Sequence, residues 1–173
     1  MREVRPGVWH WQSPHPDWDA EQWWPELVSS YAIEVGDDVV LFDRLAVPAE
    51  LRERATAVVL TAPYHEREAA WLRAGEGEGH FYVPGPWPFG MHAYAGREDN
   101  DVILWMPSIS AIVTGDSLSD FGDGLEIHLG GRTNVTRDDV VERLRPLLDL
   151  PIEHVLPGHG EPTDRAALEC VLS

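Results

Sequence analysis

Four short apolar runs in this chain each end abruptly in polar residues. They end at Asp43, at Thr61, at Gly115-Asp116-Ser117 and at Gly158-His159-Gly160. The run before Thr61, at 57–60, is continuous rather than alternating, which is typical of a strand buried on both faces. Because strand ends are rigid and the loops after them are free to vary, sheets often build their sites there. The pattern therefore predicts a sheet-based fold with polar groups concentrated at strand ends.

The remaining patterns predict further strands and several helices around this framework. A hairpin is expected at 31–43, with its turn at Gly36-Asp37-Asp38. Other strands are expected at 1–11, 80–83, 90–95, 101–106, 109–114 and 154–156, and residues 12–29 are expected to form a loop. Helices are expected at 48–55, after Ala62 as far as about Arg73, at 136–148 with Thr136 as N-cap, and after a cap at Thr163. Strands interrupted by helices predict an α/β or α+β fold with helices on the outer faces.

The charge of the chain excludes several classes of function. Thirty acidic residues against 13 basic ones give a formal net charge of −17, and a field of that sign repels phosphate backbones and anionic lipid. We therefore expect neither a nucleic-acid nor a membrane partner. All the basic residues are arginine, so Schiff-base and lysine-base chemistry are excluded, and the composition is typical of a GC-rich bacterial genome.

The chain shows no sign of export or membrane insertion. Its apolar runs fall short of the roughly 18 residues that span a bilayer, and residues 1–7 carry charge without the apolar stretch of a signal peptide. The one cysteine, Cys170, excludes an internal disulfide and is expected to be a small buried apolar residue on the last helix. These features predict a cytoplasmic protein, and they do not indicate an oligomeric state.

Tryptophan is concentrated near the N-terminus, where five of the eight lie between Trp9 and Trp24. One interpretation is a segment that covers the edge of the core, and the other is an aromatic wall beside a pocket or a partner surface. The segment 84–88 has three prolines around Gly85 and Trp87. It predicts a rigid loop over the lip of the site, with Trp87 closing the pocket from above. The remaining histidines, expected to be surface or packing residues, are His10, His15, His128 and His154.

Four motifs in this order resemble those of the metallo-β-lactamase superfamily. They are the hairpin that ends at Asp43, the strand at 58–61, Thr114-Gly115-Asp116-Ser117-Leu118 and Pro157-Gly158-His159-Gly160. The last two match the superfamily's TGDSL and PGHG segments closely. The resemblance covers nearly the whole chain. It implies an α/β fold, an αββα sandwich, as a single domain over residues 1–173, with its site at the lip between two sheets.

The chain departs from the superfamily at the metal ligands, where imidazoles and carboxylates hold zinc ions that activate water. The resemblance aligns the H-x-H-x-D-H motif with residues 62–67. Ala62 and Tyr64 then replace the first two histidines, and Glu66 and Arg67 replace the aspartate and the last histidine. Alanine has no donor atom, and arginine does not deprotonate to bind a metal.

A further ligand histidine of the superfamily aligns with Arg97. His80 and His92 precede that position and could approach from a neighbouring loop. Asp116 and His159 are then the only ligands left unchanged, whereas a catalytic zinc usually needs three protein ligands.

The types of residue gained predict that side-chain cations replace the metal charge. Without a dication, Asp116 and Glu66 would repel each other in the cleft. Arg67 and Arg97 bring two guanidinium groups there, and we expect them to make paired, hydrogen-bonded contacts. Such a network is either structural only, or a fork beside Tyr64 that binds a small carboxylate or phosphate.

The sequence therefore predicts a protein of this fold with a degenerate metal site, a pseudoenzyme or small-ligand binder without a resident cofactor. The alternative is a metal-dependent hydrolase with a rebuilt or mononuclear site, in which His65, Glu66, Asp116 and His159 are the catalytic candidates and Asp116 and His159 hold zinc. The resemblance implies hydrolysis of esters, thioesters, lactams or phosphodiesters without selecting among them. A third interpretation is a protein-interaction module that uses the Trp9 to Trp24 surface.

Overall fold

The first half of the chain forms a five-stranded sheet in the computed structural model, which describes residues 1–65, 85–130 and 135–173. Its strands are β1 (Arg2–Arg5), β2 (Val8–Pro14), β3 (Leu27–Val35), β4 (Asp38–Phe42) and β5 (Ala57–Val59). They lie in sequence order, and neighbouring strands pair antiparallel except for β4 and β5. This last pair is parallel because the connection between its strands crosses over through helix α1 (Ala49–Arg52).

The second half forms a six-stranded sheet. Its strands are β6 (Gly85–Pro86), β7 (His92–Ala95), β8 (Val102–Met106), β9 (Ala111–Gly115), β12 (His154–Pro157) and β13 (Thr163–Asp164). Their order is β13-β12-β9-β8-β7-β6. A separate ribbon of β10 (Ser119–Asp120) and β11 (Leu125–Glu126) follows β9, and helices α2 (Arg137–Leu144) and α3 (Arg165–Val171) complete this half. The connection through α2 makes the pairing of β9 with β12 parallel.

Alternate residues of the central strands face different cores, because successive side chains of a strand point to opposite faces. On β8, Leu104 packs between the two sheets, whereas Trp105 packs with residues of α2 and α3. On β4, Leu41 packs with Leu51 of α1 on the outer face of the first sheet. Helices therefore cover both outer faces of a two-sheet core. This arrangement confirms the predicted αββα sandwich.

Helix α2 begins where the sequence predicts. Thr136 accepts a hydrogen bond from the backbone N–H of Asp139, and the Asp139 carboxylate accepts one from the backbone N–H of Thr136, a reciprocal cap. The regular helix ends at Leu144, and a 3₁₀ turn (Arg145–Asp149) replaces the rest of the expected helix. Pro146 has no N–H to continue the α-helical ladder.

Several predicted bounds are wrong because strand pairing extends beyond the apolar patterns. Residues 1–11 form two strands rather than one, with Gly7 in the turn between them at a φ of 75°. Both ends of the predicted loop at 12–29 belong to strands, because β2 and β3 pair from Val8–Ile33 to Pro14–Leu27. The final helix is capped by Asp164 rather than by Thr163.

Two side-chain predictions are also wrong. Cys170 is exposed, because α3 turns Leu168 and Val171 towards the core and leaves Cys170 on the other face. Gly85 does not lie over the site but pairs with Ala93 at the edge of the second sheet. Trp87 packs against the core between the sheets. The helix expected before Arg73 and the strand expected at 80–83 fall mainly or wholly outside the described residues. Within the described residues, no helix is long and apolar enough to cross a membrane.

The two sheets approach each other closely at the end of β9. A Cβ atom added to Gly115 would lie 2.0 Å from Thr61 Oγ1, and Gly115 itself has a φ of +50°. The backbone N–H of Gly158 donates to the Gly115 carbonyl at 2.8 Å. Glycine is therefore required here for space and for backbone conformation, and the contact brings the polar strand ends together.

We expect Gly115→Ala to lower the free energy of unfolding by about 3 kcal/mol, because it adds a steric clash to a left-handed backbone. Gly36→Ala is the matched control, since Gly36 also has a positive φ (64°) but nothing within 4 Å of an added Cβ. That variant should lose only about 1 kcal/mol. Urea unfolding followed by tryptophan fluorescence measures both, and equal losses would contradict the close approach.

Candidate functional site

Polar residues from four strand ends meet on one side of the molecule, as the sequence pattern predicts. Asp43 follows β4, and His65 lies in the 3₁₀ turn after β5. Asp116 follows β9, and His159 follows β12. The first two residues come from the first sheet and the last two from the second, so the site spans both sheets.

Asp43 anchors the site from the first sheet. It is 3% exposed and has a positive φ of 43°. Its Oδ1 accepts the backbone N–H of Thr61 at 2.8 Å, and its Oδ2 accepts the Thr61 hydroxyl at 2.5 Å. Burial alone would raise the pKa of Asp43, but His65 and the Thr61 donors lower it. Asp43 is therefore a fixed carboxylate.

His65 is a buried cation between two carboxylates. Its side chain is 1% exposed, with Nδ1 3.0 Å from Asp43 Oδ1 and Nε2 3.4 Å from Asp116 Oδ2. The second contact is an ion pair without hydrogen-bond geometry. Burial alone would lower the pKa of His65, but Asp43 and Asp116 raise it from 6.5 to about 9. At neutral pH the ring is an imidazolium with a proton on each nitrogen.

Asp116 has one oxygen paired with His65 and one that accepts no hydrogen bond within the described part of the chain. Burial alone would raise the pKa of Asp116, but His65, followed by His159 and Arg97, holds it well below its usual range. Oδ2 faces His65, whereas Oδ1 is buried and accepts no hydrogen bond from the described residues. His159 Nε2 lies 3.8 Å from Oδ1, and its Nδ1 lies 2.9 Å from the carbonyl of Leu27. An ionised acceptor is thus left at the base of the site.

Tyr64, Arg97 and Asp101 form a second polar cluster beside Asp116. The Tyr64 hydroxyl donates to Asp101 Oδ1 at 2.9 Å, and Arg97 Nη2 donates to that hydroxyl at 3.2 Å. Arg97 Nη2 is also 3.4 Å from Asp101 Oδ2, and both side chains are 2% exposed. Nη1 donates to the His128 carbonyl at 2.8 Å. Burial raises the pKa of Asp101, and Arg97 opposes this shift only in part.

A cavity of about 270 Å³ opens above these groups. Its wall is mainly aromatic and is formed by His15, Trp23, Trp24, Val28, Phe121 and His128. Its polar end is formed by Tyr64, Arg97, Asp116, Ser119 and His159. A mainly apolar pocket with a few convergent polar groups is the usual form of a small-molecule site.

The structure brings most of the described candidate residues together. His65 contacts Asp116, and Asp116, His159, Tyr64 and Arg97 line the cavity. Glu66 and Arg67, which the sequence assigns to the same site, lie outside the described residues. His92 is exposed on β7 and is not among the described residues that line the cavity.

Arg97 reaches the cavity, and its carboxylate partner is one that the sequence does not identify. The sequence predicts paired, hydrogen-bonded contacts for Arg97 in the cleft of Asp116. The structure pairs Arg97 with Asp101, in an i,i+4 contact within the segment after β7. Among the described residues, His65 is a cation that contacts Asp116 directly. No motif signals this, because the role of His65 depends on a turn that aims its ring back between the two sheets.

Sequence analysis missed several residues of the cavity wall. His15 and His128, expected to be surface or packing residues, both line the cavity, and Phe121 stacks on His128 with ring centroids 3.6 Å apart. The tryptophan cluster splits between its two interpretations. Trp11 is buried against the outer face of the first sheet, whereas Trp23 and Trp24 line the cavity. The Trp-rich composition was therefore the usable signal for the aromatic wall.

Comparison with known proteins identifies the fold. No family model matches the chain, and no curated protein matches it. Solved structures match over nearly its whole length. TMB-1 superposes with a TM-score of 0.66 and 18% identity over 98% of this chain and 93% of its own. The metallo-β-lactamase DIM-1 superposes with a TM-score of 0.69 and 15% identity over 97% of this chain and 92% of its own. A metallo-β-lactamase from Pontibacter korlensis superposes with a TM-score of 0.66 and 14% identity over 97% of this chain and 94% of its own. The chain therefore has the metallo-β-lactamase fold.

Proposed function

We propose that this chain is a small-ligand-binding protein of the metallo-β-lactamase fold that works without a catalytic zinc ion. The observation that carries the proposal is the cluster of Tyr64, Arg97 and Asp101. Tyr64 and Arg97 stand where the resemblance implies histidine ligands, and they are hydrogen-bonded to each other and held on Asp101. A buried guanidinium thus supplies positive charge at a position where the superfamily has a metal ligand.

The described residues do not fit a zinc ion held by three protein ligands. His65 and His159 face different oxygens of Asp116, at 3.4 and 3.8 Å. Among the described residues, no three His, Cys, Asp or Glu side chains are placed to hold one metal ion. Ala62 is buried and offers no donor. The described part of the cleft instead contains two side-chain cations, His65 and Arg97, each already paired with a carboxylate.

The hydrolase alternative rests on one specific observation. Three of its four candidate residues, His65, Asp116 and His159, meet in the structure. Asp43 lies behind His65, as a carboxylate often lies behind a metal-bound histidine. This alternative needs Glu66 or a rearranged His65 to complete the site.

Metal content separates the two functions. We expect protein purified without chelator to contain no stoichiometric zinc, iron or manganese, and to melt at the same temperature with and without EDTA, because the described residues offer no set of three ligands for one metal ion. Elemental analysis and thermal unfolding measure this. Stoichiometric metal that is lost in Asp116→Ala or His159→Ala would establish the hydrolase alternative instead.

A double-mutant cycle on Arg97→Gln and Asp101→Asn tests whether the buried guanidinium is a structural cation. We expect each single change to cost about 3 kcal/mol of unfolding free energy and the pair to couple by about 2 kcal/mol or more, because either change leaves a buried charge unpaired. The matched control is the i,i+4 pair Arg165–Glu169, whose side chains are 32% and 57% exposed. Its coupling should stay below about 1 kcal/mol, and equal couplings would contradict the proposal.

The stability of the protein should fall as the pH rises from 6.5 to 9. Because the pKa of His65 is raised from 6.5 to about 9 on folding, its contribution is complete below pH 6.5. That contribution is lost as the pH rises through the pKa that His65 has in the folded protein. The loss is at most about 3 kcal/mol, at 1.36 kcal/mol per pKa unit. Urea unfolding at pH 6.5, 7.5, 8.5 and 9.5 measures the slope.

His65→Gln should abolish most of this slope, whereas His154→Gln, a control on a partly exposed histidine, should retain it. Proton-detected NMR of the His65 ring gives an independent reading, since both nitrogens should carry protons at pH 7. A flat profile in the wild-type protein would show that His65 is neutral.

A further inference from the structure

The cavity wall offers flat aromatic faces rather than polar groups. Phe121 stacks on His128 with an interplanar angle of 7°, and Trp23 lies 6.0 Å from Phe121, centroid to centroid. Trp24 and Phe121 flank the His159 ring at 5.7 and 5.3 Å. Burial lowers the pKa of His128, which keeps that ring neutral. Such walls accommodate a flat apolar group, and aromatic faces attract a cation placed over them.

The polar end of the cavity needs a hydrogen-bond donor. Asp116 Oδ1 is buried and accepts no hydrogen bond from the described residues, and an unsatisfied buried carboxylate oxygen is costly. The Arg97 guanidinium beside it is engaged with Asp101, Tyr64 and the His128 carbonyl. The Asp116 side chain lines the cavity and is 23% exposed, so a ligand there meets an acceptor with negative charge.

The charge balance of the site also favours a cation. Among the described residues, Asp43, Asp101 and Asp116 are three carboxylates in contact with the two cations His65 and Arg97. The whole chain has a formal net charge of −17, which raises the local concentration of cations and repels anions.

We propose that the cavity binds a small primary amine in its protonated form, with the ammonium group on the Asp116 carboxylate and a flat apolar body against the wall of Trp23, Trp24 and Phe121. The inference rests on the proposed function, because a zinc ion on Asp116 would occupy the same carboxylate. The cavity of about 270 Å³ is large enough for a small arylalkylamine. An amine suits the site better than a quaternary ion, because its N–H groups donate to the carboxylate.

Calorimetric titration of the full chain tests this with four matched probes: phenethylamine, 2-phenylethanol, phenylacetate and phenethyltrimethylammonium. Phenethylamine should bind about tenfold or more tightly than 2-phenylethanol, because the alcohol can donate a hydrogen bond to the carboxylate but carries no positive charge. The quaternary ion should bind more weakly than the amine, and phenylacetate should not bind measurably. Equal binding of amine and alcohol, or tighter binding of phenylacetate through an arginine fork, would overturn the proposal.

Two variants locate the site. Asp116→Asn and Phe121→Leu should each weaken phenethylamine binding, the first by about tenfold. Glu153→Gln removes one negative charge from an exposed side chain and should leave the affinity unchanged, which controls for the field of the whole protein. Circular dichroism establishes that each variant is folded. Should Asp116→Asn fail to fold, Phe121→Leu and the four wild-type titrations still decide the question.

The metal content of the titrated sample separates the two proposals. Metal-free protein that does not prefer the amine overturns this inference and leaves the proposed function standing. Protein with a stoichiometric metal that is released by Asp116→Ala overturns both.

Discussion

A single buried imidazolium holds the polar ends of the two sheets together. His65 lies between Asp43, which follows a strand of the first sheet, and Asp116, which follows a strand of the second. Without this cation, two carboxylates would face each other in a cleft that water hardly reaches, and their mutual repulsion would push the sheets apart. The ionised state of Asp116 depends on this interaction, and the Asp43 carboxylate is held by it together with the two Thr61 donors.

The second cation repeats this arrangement at the side of the cavity. Arg97 is balanced by Asp101, and its Nη2 donates to the Tyr64 hydroxyl. A dication has a similar electrostatic effect on nearby carboxylates, but it also brings open coordination positions and a reactive water. Side-chain cations supply charge but no coordination position and no metal-bound water. Under the proposed function, this difference lets the cavity bind a molecule without cleaving it.

The fold was predictable from sequence, because strand ends carry motifs at which the backbone itself is constrained. Gly115 and Gly158 lie where an added Cβ would collide with a neighbouring strand end. Glycine is therefore required at both positions, and the turns around them can be recognised in the sequence. The site was predictable only in part. Asp116 and His159 belong to those turns and are identified from sequence, and Arg97 is placed in the cavity without its partner Asp101 being identified. The roles of His65 and Asp101 depend on how loops fold back over the sheets, and residue spacing carries no information about that.

Part of the cavity wall lies in a turn that is held by its own hydrogen bonds. Phe121 lies in the turn of the short ribbon β10–β11, where Gly122 and Gly124 have φ angles of 119° and 104°. Asp120 shapes that turn by accepting the backbone N–H groups of the two glycines at 2.7 and 3.0 Å. Phe121 itself belongs to none of the hydrophobic clusters that the described residues form between or outside the sheets. Under the proposed function, a substitution at this position therefore changes the surface that a ligand meets without changing the core of the sandwich.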